Sequence, residues 1–343
     1  MTVGGPGSSS RRHLGVDEYV TGVRSGDRAI LARAITLVES QRADDMATAQ
    51  EVLVRLLPET GSGTRVGISG VPGVGKSTFI DALGLLLIDQ GHHVAVLAVD
   101  PSSSISGGSI LGDKSRMPGL TSSSEAFIRP SPNALTPGGV GRRTRESLLL
   151  CEAAGFDVVL VETVGVGQSE TMVAEMVDFF LVLLLAGAGD ELQGIKKGIL
   201  ELADLLAVNK ADGENRVRAL AAKRDYEAAL SYLRTRSSVW EPTVMVVSGR
   251  TKSGLPELWQ EVLRHRELLT VSGELETKHS EQGRSWMWTL IKERLLGSFL
   301  TDPRIEASLP ELEKAVLEGA VTPTRAASEL LEIFQGGGTN KTV

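Results

Sequence analysis

The sequence contains little cysteine, few histidines and few aromatic residues. Its 343 residues include 1 cysteine, 5 histidines and 4% aromatic residues. The single thiol, Cys151, excludes an internal disulfide and fits a reducing cytoplasm. Because Cys151 lies in an apolar helical pattern with no histidine nearby in the sequence, we expect a packed core thiol rather than a nucleophile. The pair His92–His93 falls between a helical pattern and a strand pattern, where we expect a solvated turn rather than a metal-binding tract.

Long apolar runs and clusters of positive charge are also missing. The longest apolar run, 179–189, is too short for a membrane-spanning helix, which needs about 20 residues. Residues 4–10 are rich in glycine and serine and resemble a flexible tail, not a secretory signal. The formal net charge is −7 and the basic residues are dispersed, which argues against a nucleic-acid surface. We therefore expect a cytoplasmic protein that binds neither membranes nor nucleic acids.

Strand and helix patterns alternate through the middle of the chain. Short apolar segments predict strands at 65–69, 94–99, 157–162, 179–185, 204–208 and 243–248. Near-continuous runs of Val, Leu and Ile are typical of strands covered on both faces. The predicted fold class is therefore α/β, with a doubly wound, mainly parallel sheet and a site at the carboxyl ends of its strands. Segment 100–141, rich in Ser, Gly and Pro, is predicted to be a long loop that is functional or mobile.

The patterns divide the chain into five regions. We expect a flexible tail at 1–14, an N-terminal helical segment at 15–60, a sheet domain at 61–270, a C-terminal helical arm at 271–335 and a second tail at 336–343. The arm carries an apolar stripe that includes Trp288 and Leu295. Such a stripe either covers the sheet or forms a dimer contact, and both interpretations remain open here.

The stretch 65–78 organises the rest of the chain. A predicted strand leads into Gly-x-x-x-x-Gly-Lys-Ser and then into a helical pattern, which is the P-loop arrangement. The glycines let the backbone wrap a polyphosphate, and its N–H groups form an anion nest. Lys76 is expected to reach the β- and γ-phosphates, and Ser77 to ligate Mg²⁺. The predicted phosphate-binding residues are Gly70, Val71, Pro72, Gly73, Val74, Gly75, Lys76, Ser77 and Thr78.

A second pattern, Asn-Lys-x-Asp at 209–212, follows another predicted strand and is typical of GTP-binding proteins. Guanine presents two adjacent donors that the carboxylate of Asp212 can accept together, whereas adenine would leave that carboxylate unpaired. Asn209 would support the loop, and the stem of Lys210 would lie over the base. Ser248, Gly249 and Arg250 end the next strand and either complete the base pocket through backbone groups or form an ordinary turn.

Acidic residues end two of the predicted strands. Glu162 is placed to reach Mg²⁺ directly or through a water, and Gly165 after it is placed to touch the γ-phosphate. Asp100 ends the second strand, across from the P-loop, where a carboxylate can hold a Mg²⁺-bound water or polarise the attacking one. Asp113 fits a second acidic site residue or a Gly-Asp turn equally well.

Val166 stands where Ras-type GTPases have a water-orienting Gln, which predicts slow intrinsic hydrolysis unless another group positions the water.

These residues together resemble the MeaB/ArgK-type GTPases, the methylmalonyl-CoA mutase-associated GTPases of the SIMIBI class of P-loop proteins. The resemblance covers about residues 15 to 334 and depends on 70–78, 98–117, 162–170, 187–198 and 209–212. It implies a homodimer that binds GTP or GDP with Mg²⁺ and hydrolyses GTP. It also implies a chaperone of an adenosylcobalamin-dependent mutase, most directly methylmalonyl-CoA mutase, that gates cofactor loading and ejects damaged cofactor.

The resemblance also implies roles for individual residues. It assigns Lys76, Asp100, Asp113 and Glu162 to catalysis, and Ser77 with the same three acids to Mg²⁺. A mobile loop called switch III, through which the partner acts, corresponds to 187–198. Its residues include Gly187, Asp190, Glu191, Gln193 and Lys196.

Two other functions are compatible with the same patterns. One is a kinase linked to basic amino-acid transport, a label that the family has also carried; the guanine preference expected from Asp212 argues against ATP as its substrate. The other is a GTPase that inserts metal centres, which is related in fold but usually carries a His- or Cys-rich tract.

Overall fold

The chain divides into two compact units, Met1–Lys278 and His279–Val343. The computed structural model describes residues 14–40, 42–99, 116–130, 137–163, 169–186, 197–232 and 237–336. The described part of the first unit contains a sheet with helices on both faces, and that of the second unit is helical.

In the described residues, seven strands form one parallel sheet in the order β3-β2-β4-β1-β5-β6-β7. The prediction of a doubly wound parallel sheet is confirmed. Six strands match the predicted segments, with ends that differ by at most two residues. The strands are β1 (Thr64–Gly70), β2 (Val94–Val99), β3 (Ala126–Arg129), β4 (Val158–Thr163), β5 (Phe179–Leu185), β6 (Leu205–Asn209) and β7 (Thr243–Val246).

Helices precede, connect and follow these strands. Within the described ranges, none of the helices is both long enough and apolar enough to cross a lipid bilayer. The helices are α1 (Val16–Arg24), α2 (Arg28–Glu39), α3 (Ala43–Leu56), α4 (Lys76–Asp89), α5 (Pro118–Ser122), α6 (Pro137–Ala153), α7 (Ser169–Ala174), α8 (Lys197–Leu200), α9 (Asn215–Leu230), α10 (Leu255–Ser272), α11 (Glu274–Leu300), α12 (Pro303–Leu317) and α13 (Pro323–Gln335).

The strand β5, next to the central strand β1, shows how the core of the first unit is arranged. Its residues alternate between two hydrophobic clusters, since successive side chains of a strand point to opposite faces. Phe179, Leu181 and Leu183 belong to a cluster with α4 and α10. Phe180, Val182 and Leu184 belong to another with α1, α2, α3 and α6. The N-terminal helices thus share one core with the sheet.

The prediction of a long loop over 100–141 is wrong where the structure describes this segment. Residues 116–130 contain α5 and β3, and α6 begins at Pro137. The strand β3 is only four residues long and pairs with β2 alone, so its apolar signal is short. Asp81 of α4 accepts hydrogen bonds from the backbone N–H groups of Leu120 and Gly119 at 2.8 and 3.3 Å. This contact fixes α5 against the helix that follows the P-loop.

Cys151 lies in α6 and is fully buried. Burial raises the pKa of its thiol, and the nearby negative charge of Glu152 adds to that effect. The prediction of a packed core thiol is therefore confirmed.

A buried ion pair lies at the amino edge of the sheet, opposite the P-loop. The guanidinium of Arg65 donates two hydrogen bonds to the carboxylate of Glu152, at 2.7 and 2.8 Å. The same carboxylate accepts from the backbone of Gly61 at 2.9 Å, and Asp178 accepts from the backbone N–H of Arg65 at 3.1 Å. Burial lowers the pKa of Arg65, but the hydrogen bond and charge of Glu152, with the charge of Asp178, raise it overall.

Replacing Glu152 with alanine is expected to destabilise the first unit by about 3–5 kcal/mol, because the Arg65 guanidinium would stay buried without its paired charge. Urea unfolding followed by circular dichroism measures this change. Glu59→Ala is the matched control, since Glu59 pairs with Arg24 where the two side chains are 36% and 48% exposed. That substitution should cost less than about 1 kcal/mol. Equal losses of stability in the two variants would contradict a special role for the buried pair.

Candidate functional site

The phosphate loop connects β1 to α4 at the carboxyl edge of the sheet. Gly70, Gly73 and Gly75 have φ angles of 149°, 81° and 93°, a region that side chains with a Cβ rarely adopt. A Cβ on Gly70 would also lie 2.5 Å from the carbonyl oxygen of Leu183. These positions therefore require glycine, and the loop leads directly into the N-terminus of α4, where anions bind favourably.

Lys76, the first residue of α4, folds back over this loop. Its Nζ donates to the carbonyl oxygens of Gly70 at 2.7 Å and of Val71 at 3.3 Å. Burial lowers the pKa of Lys76, while the negative charges of Glu162 and Glu170 act in the opposite direction. The ammonium is therefore held at the phosphate loop.

Ser77 and Glu162 lie together beside the loop. The hydroxyl of Ser77 donates to Oε1 of Glu162 at 3.1 Å. This meeting follows from the sheet, since β1 and β4 are adjacent and Ile68 pairs with Glu162 in their register. Between the same two strands, the hydroxyl of Thr163 donates to the hydroxyl of Ser69 at 3.0 Å. A hydroxyl and a carboxylate are oxygen donors of the kind that Mg²⁺ prefers, so these two side chains fit a magnesium ion.

Asn209 ends β6 and joins the phosphate loop to the segment after β7. Its Nδ2 donates to the carbonyl of Val74 at 2.9 Å, and its Oδ1 accepts from the backbone N–H of Gly249 at 3.1 Å. The next residue, Lys210, donates from Nζ to the carbonyl of Gly73 at 2.7 Å. Two successive side chains of the Asn-Lys-x-Asp segment therefore hold the phosphate loop in place.

Asp212 is oriented by Ser248. The hydroxyl of Ser248 donates to Oδ1 of Asp212 at 2.8 Å and accepts from the backbone N–H of Thr251 at 3.2 Å. Ser248 is fully buried. Ser248 therefore supports the base-binding segment through its side-chain hydroxyl as well as through the turn that it occupies. An oriented carboxylate can accept two adjacent donors such as those of guanine.

A cavity of about 490 Å³ lies between these groups. Its walls include Thr78 and Arg250, both predicted from the sequence, and Asn215, which was not. Asn215 donates from Nδ2 to the carbonyl oxygen of Lys210 at 2.7 Å. The complete lining is Gly75, Thr78, Asn209, Lys210, Asp212, Asn215, Gly249 and Arg250. The two predicted motifs therefore meet around one space next to the phosphate loop.

Several predicted site residues lie outside the described residues. They remain predictions from the sequence and from the family resemblance. They are Asp100, Asp113, Gly165, Gly187, Asp190, Glu191, Gln193 and Lys196.

A parallel sheet with a phosphate loop at its carboxyl edge, and an Asn-Lys-x-Asp segment beside that loop, defines the class of P-loop GTPases. The family model described as "Methylmalonyl Co-A mutase-associated GTPase MeaB" matches residues 31–304. The chain belongs to this family and is a GTP-hydrolysing enzyme, which confirms the resemblance seen in the sequence.

Individual relatives cover nearly the whole chain. "GTPase ArgK" of Escherichia coli (strain K12) is 45% identical over 93% of this chain and 96% of that protein. "Methylmalonic aciduria type A homolog, mitochondrial" of Mus musculus is 48% identical over 96% of this chain and 82% of that protein. A solved structure titled "LAO/AO transport system kinase" aligns with a TM-score of 0.76 and 39% identity, covering 93% of this chain and 97% of the other.

Replacing Lys76 with alanine is expected to lower the affinity for GDP at least about tenfold, because the phosphates lose a charge-assisted hydrogen bond. Isothermal titration calorimetry measures the affinity. Lys314→Ala, which removes an ammonium that is 74% exposed in α12, should leave it unchanged. Undiminished GDP binding by the Lys76 variant would show that the ammonium does not contact the phosphates.

Replacing Asp212 with asparagine is expected to reduce the preference for GDP over ADP about tenfold or more. One of the two side-chain oxygens that accept from guanine would become an amide group that donates instead. Titration of both nucleotides with the parent protein and the variant gives the two affinity ratios. Asp225→Asn, on the exposed side of α9, is the control and should keep the parent ratio. Equal affinity of the parent protein for GDP and ADP would overturn the base assignment.

Proposed function

We propose that this GTPase is the chaperone of an adenosylcobalamin-dependent mutase, most directly methylmalonyl-CoA mutase. The observation that carries this proposal is the family match over residues 31–304, because the family is described as mutase-associated. The 48% identity to the mouse protein named for methylmalonic aciduria supports the same assignment. In this proposal, binding and hydrolysis of GTP control when cofactor is loaded and when damaged cofactor is removed.

The nucleotide is held by the groups that meet at the carboxyl edge. The glycine loop receives the phosphates, Lys76 contacts their outer oxygens, and Asp212 accepts the guanine donors. Bound Mg²⁺ supplies charge neutralisation at the phosphates. Ser77 and Glu162 would hold that ion, because their side-chain oxygens lie 3.1 Å apart beside the loop.

The proposed timing of hydrolysis depends on residues assigned by the resemblance. Asp100 and Asp113 complete the acidic set around Mg²⁺, and Gly165 contacts the γ-phosphate. The partner acts through 187–198. Because Val166 stands where Ras-type GTPases have a glutamine, hydrolysis stays slow until the mutase binds.

The second unit supports a homodimer. Several large apolar side chains of α11 are more than a third exposed, which is unusual for a surface that stays in water. Pairing of two copies through this helical unit would cover them. These side chains are Met287, Trp288, Ile291, Leu295, Leu296 and Leu300. We place this dimer in the cytoplasm, where its free thiol at Cys151 would stay reduced.

The test is GTP turnover with and without purified methylmalonyl-CoA mutase. We expect the mutase to raise kcat at least about tenfold, as accessory proteins do when they complete a GTPase site. Pull-down with a non-hydrolysable GTP analogue should recover the complex. The Lys76→Ala variant controls for contaminating GTPases. If there is neither a complex nor a change in turnover, the chaperone assignment is wrong, while the GTPase assignment is untouched.

A phosphotransferase is the second candidate, favoured by the 39% identity to a structure titled as a transport system kinase. It predicts that the γ-phosphate of a labelled nucleotide appears on a protein or on a small acceptor. The chaperone proposal predicts that all label is released as inorganic phosphate. Assays with labelled ATP and labelled GTP distinguish the two.

Metal-centre insertion has no observation in its favour in the part of the chain that the structure describes. There, no group of three or more His, Cys, Asp or Glu residues is arranged to hold a metal ion. Nδ1 of His92 lies 2.6 Å from Asp157, and Nε2 of His93 lies 2.9 Å from Glu125. Both histidines thus contact surface carboxylates.

A further inference from the structure

Asn215 contacts the base-binding segment from the helix that follows it. It is the first residue of α9, and helical side chains tilt toward the N-terminus of their helix. Its amide therefore reaches back over the preceding turn and donates from Nδ2 to the carbonyl oxygen of Lys210 at 2.7 Å. Both residues line the cavity of about 490 Å³.

The backbone of Lys210 is in an unusual conformation. Among the described residues, Lys210 and Lys252 are the non-glycine residues with positive φ, and the φ of Lys210 is 58°. A side chain with a Cβ is disfavoured there, because the Cβ crowds a backbone carbonyl. Such a conformation persists only when surrounding contacts hold it. The hydrogen bond from Asn215 is a contact of this kind, since it is made to the carbonyl of the strained residue itself.

This conformation decides where the Lys210 side chain runs. Its Nζ donates to the carbonyl of Gly73 at 2.7 Å, so the aliphatic stem spans the distance from β6 to the phosphate loop. A Cβ placed on Gly75 would lie 3.6 Å from Cε of Lys210, which shows how closely the stem approaches the loop. A lysine with negative φ at this position would direct its stem elsewhere.

We propose that Asn215 is a positioning residue for nucleotide binding, which acts by holding the left-handed backbone of Lys210 so that the lysine stem borders the base cavity. This inference rests on the proposed binding of guanine in that cavity. Asn215 acts through Lys210 and does not itself recognise the base.

The proposal makes a distinctive prediction about base selectivity. An aliphatic stem packs against the face of a purine ring whatever exocyclic groups the ring carries, whereas a carboxylate reads those groups. Loss of the Lys210 position should therefore weaken GDP and inosine diphosphate by the same factor. Loss of Asp212 should change the ratio between these two nucleotides, because inosine diphosphate lacks the 2-amino donor.

Titration of Asn215→Ala with GDP and inosine diphosphate tests this prediction. We expect affinity for both nucleotides to fall about fivefold, the effect of one hydrogen bond, at an unchanged ratio. Asn215→Asp keeps the side-chain size but removes the donor, so its affinity for both nucleotides should fall at least as far. Val217→Ala, on the same helix and 76% exposed, is the control and should bind as the parent protein does.

A double-mutant cycle with Lys210→Ala shows whether Asn215 acts through the lysine. In that background, Asn215→Ala should weaken GDP binding by no more than about twofold, because the positioned side chain is already gone. Additive losses, a changed ratio between GDP and inosine diphosphate, or parent-like affinity of both single Asn215 variants would each overturn the proposal. If the parent protein binds ADP as well as GDP, the guanine assignment fails instead.

Discussion

The side-chain amide of Asn209 is the contact on which the geometry of the site depends. It joins the end of β6 to the phosphate loop through Val74 and to the segment after β7 through Gly249. The amide carries a donor and an acceptor on one rigid group, so the spacing of the two partners is set by covalent geometry. Because Asn209 is buried, displacement of either partner would leave a polar atom without water or protein to bond.

The parallel sheet makes this contact possible. Strands β1, β4 and β6 all end at the same edge of the sheet, so residues that are far apart in the sequence lie close together there. Lys76 shows the electrostatic side of the arrangement. Its ammonium is bonded to the carbonyls of Gly70 and Val71, so the loop holds a cation close to where it receives an anion. A phosphate that took the place of these carbonyls would offer charged acceptors, which bind an ammonium more strongly than neutral ones do.

The sequence predicts the parts of the molecule in which physical chemistry leaves little choice. Strands buried on both faces need continuous apolar residues, and a loop around a polyphosphate needs glycines at positive φ. The strand β3 shows the limit, because its four residues lie at the edge of the sheet, between a serine-rich segment and one with two prolines. Asn215 shows another limit, since one polar residue at the start of a helix has no distinguishing pattern. Its contact depends on the backbone conformation of Lys210, which no local pattern reveals.

The buried pair at the opposite edge has a mechanical consequence. Arg65 and Glu152 tie the start of β1 to the end of α6, and Asp178, before β5, is bonded to the same stretch. Arg266 of α10 adds a hydrogen bond to the carbonyl of Ser62 at 2.7 Å. These contacts fix the start of β1 relative to α6, to α10 and to the segment before β5. At this edge β1 is therefore part of a fixed frame, whereas the segments that line the base cavity lie at the other end of the strands.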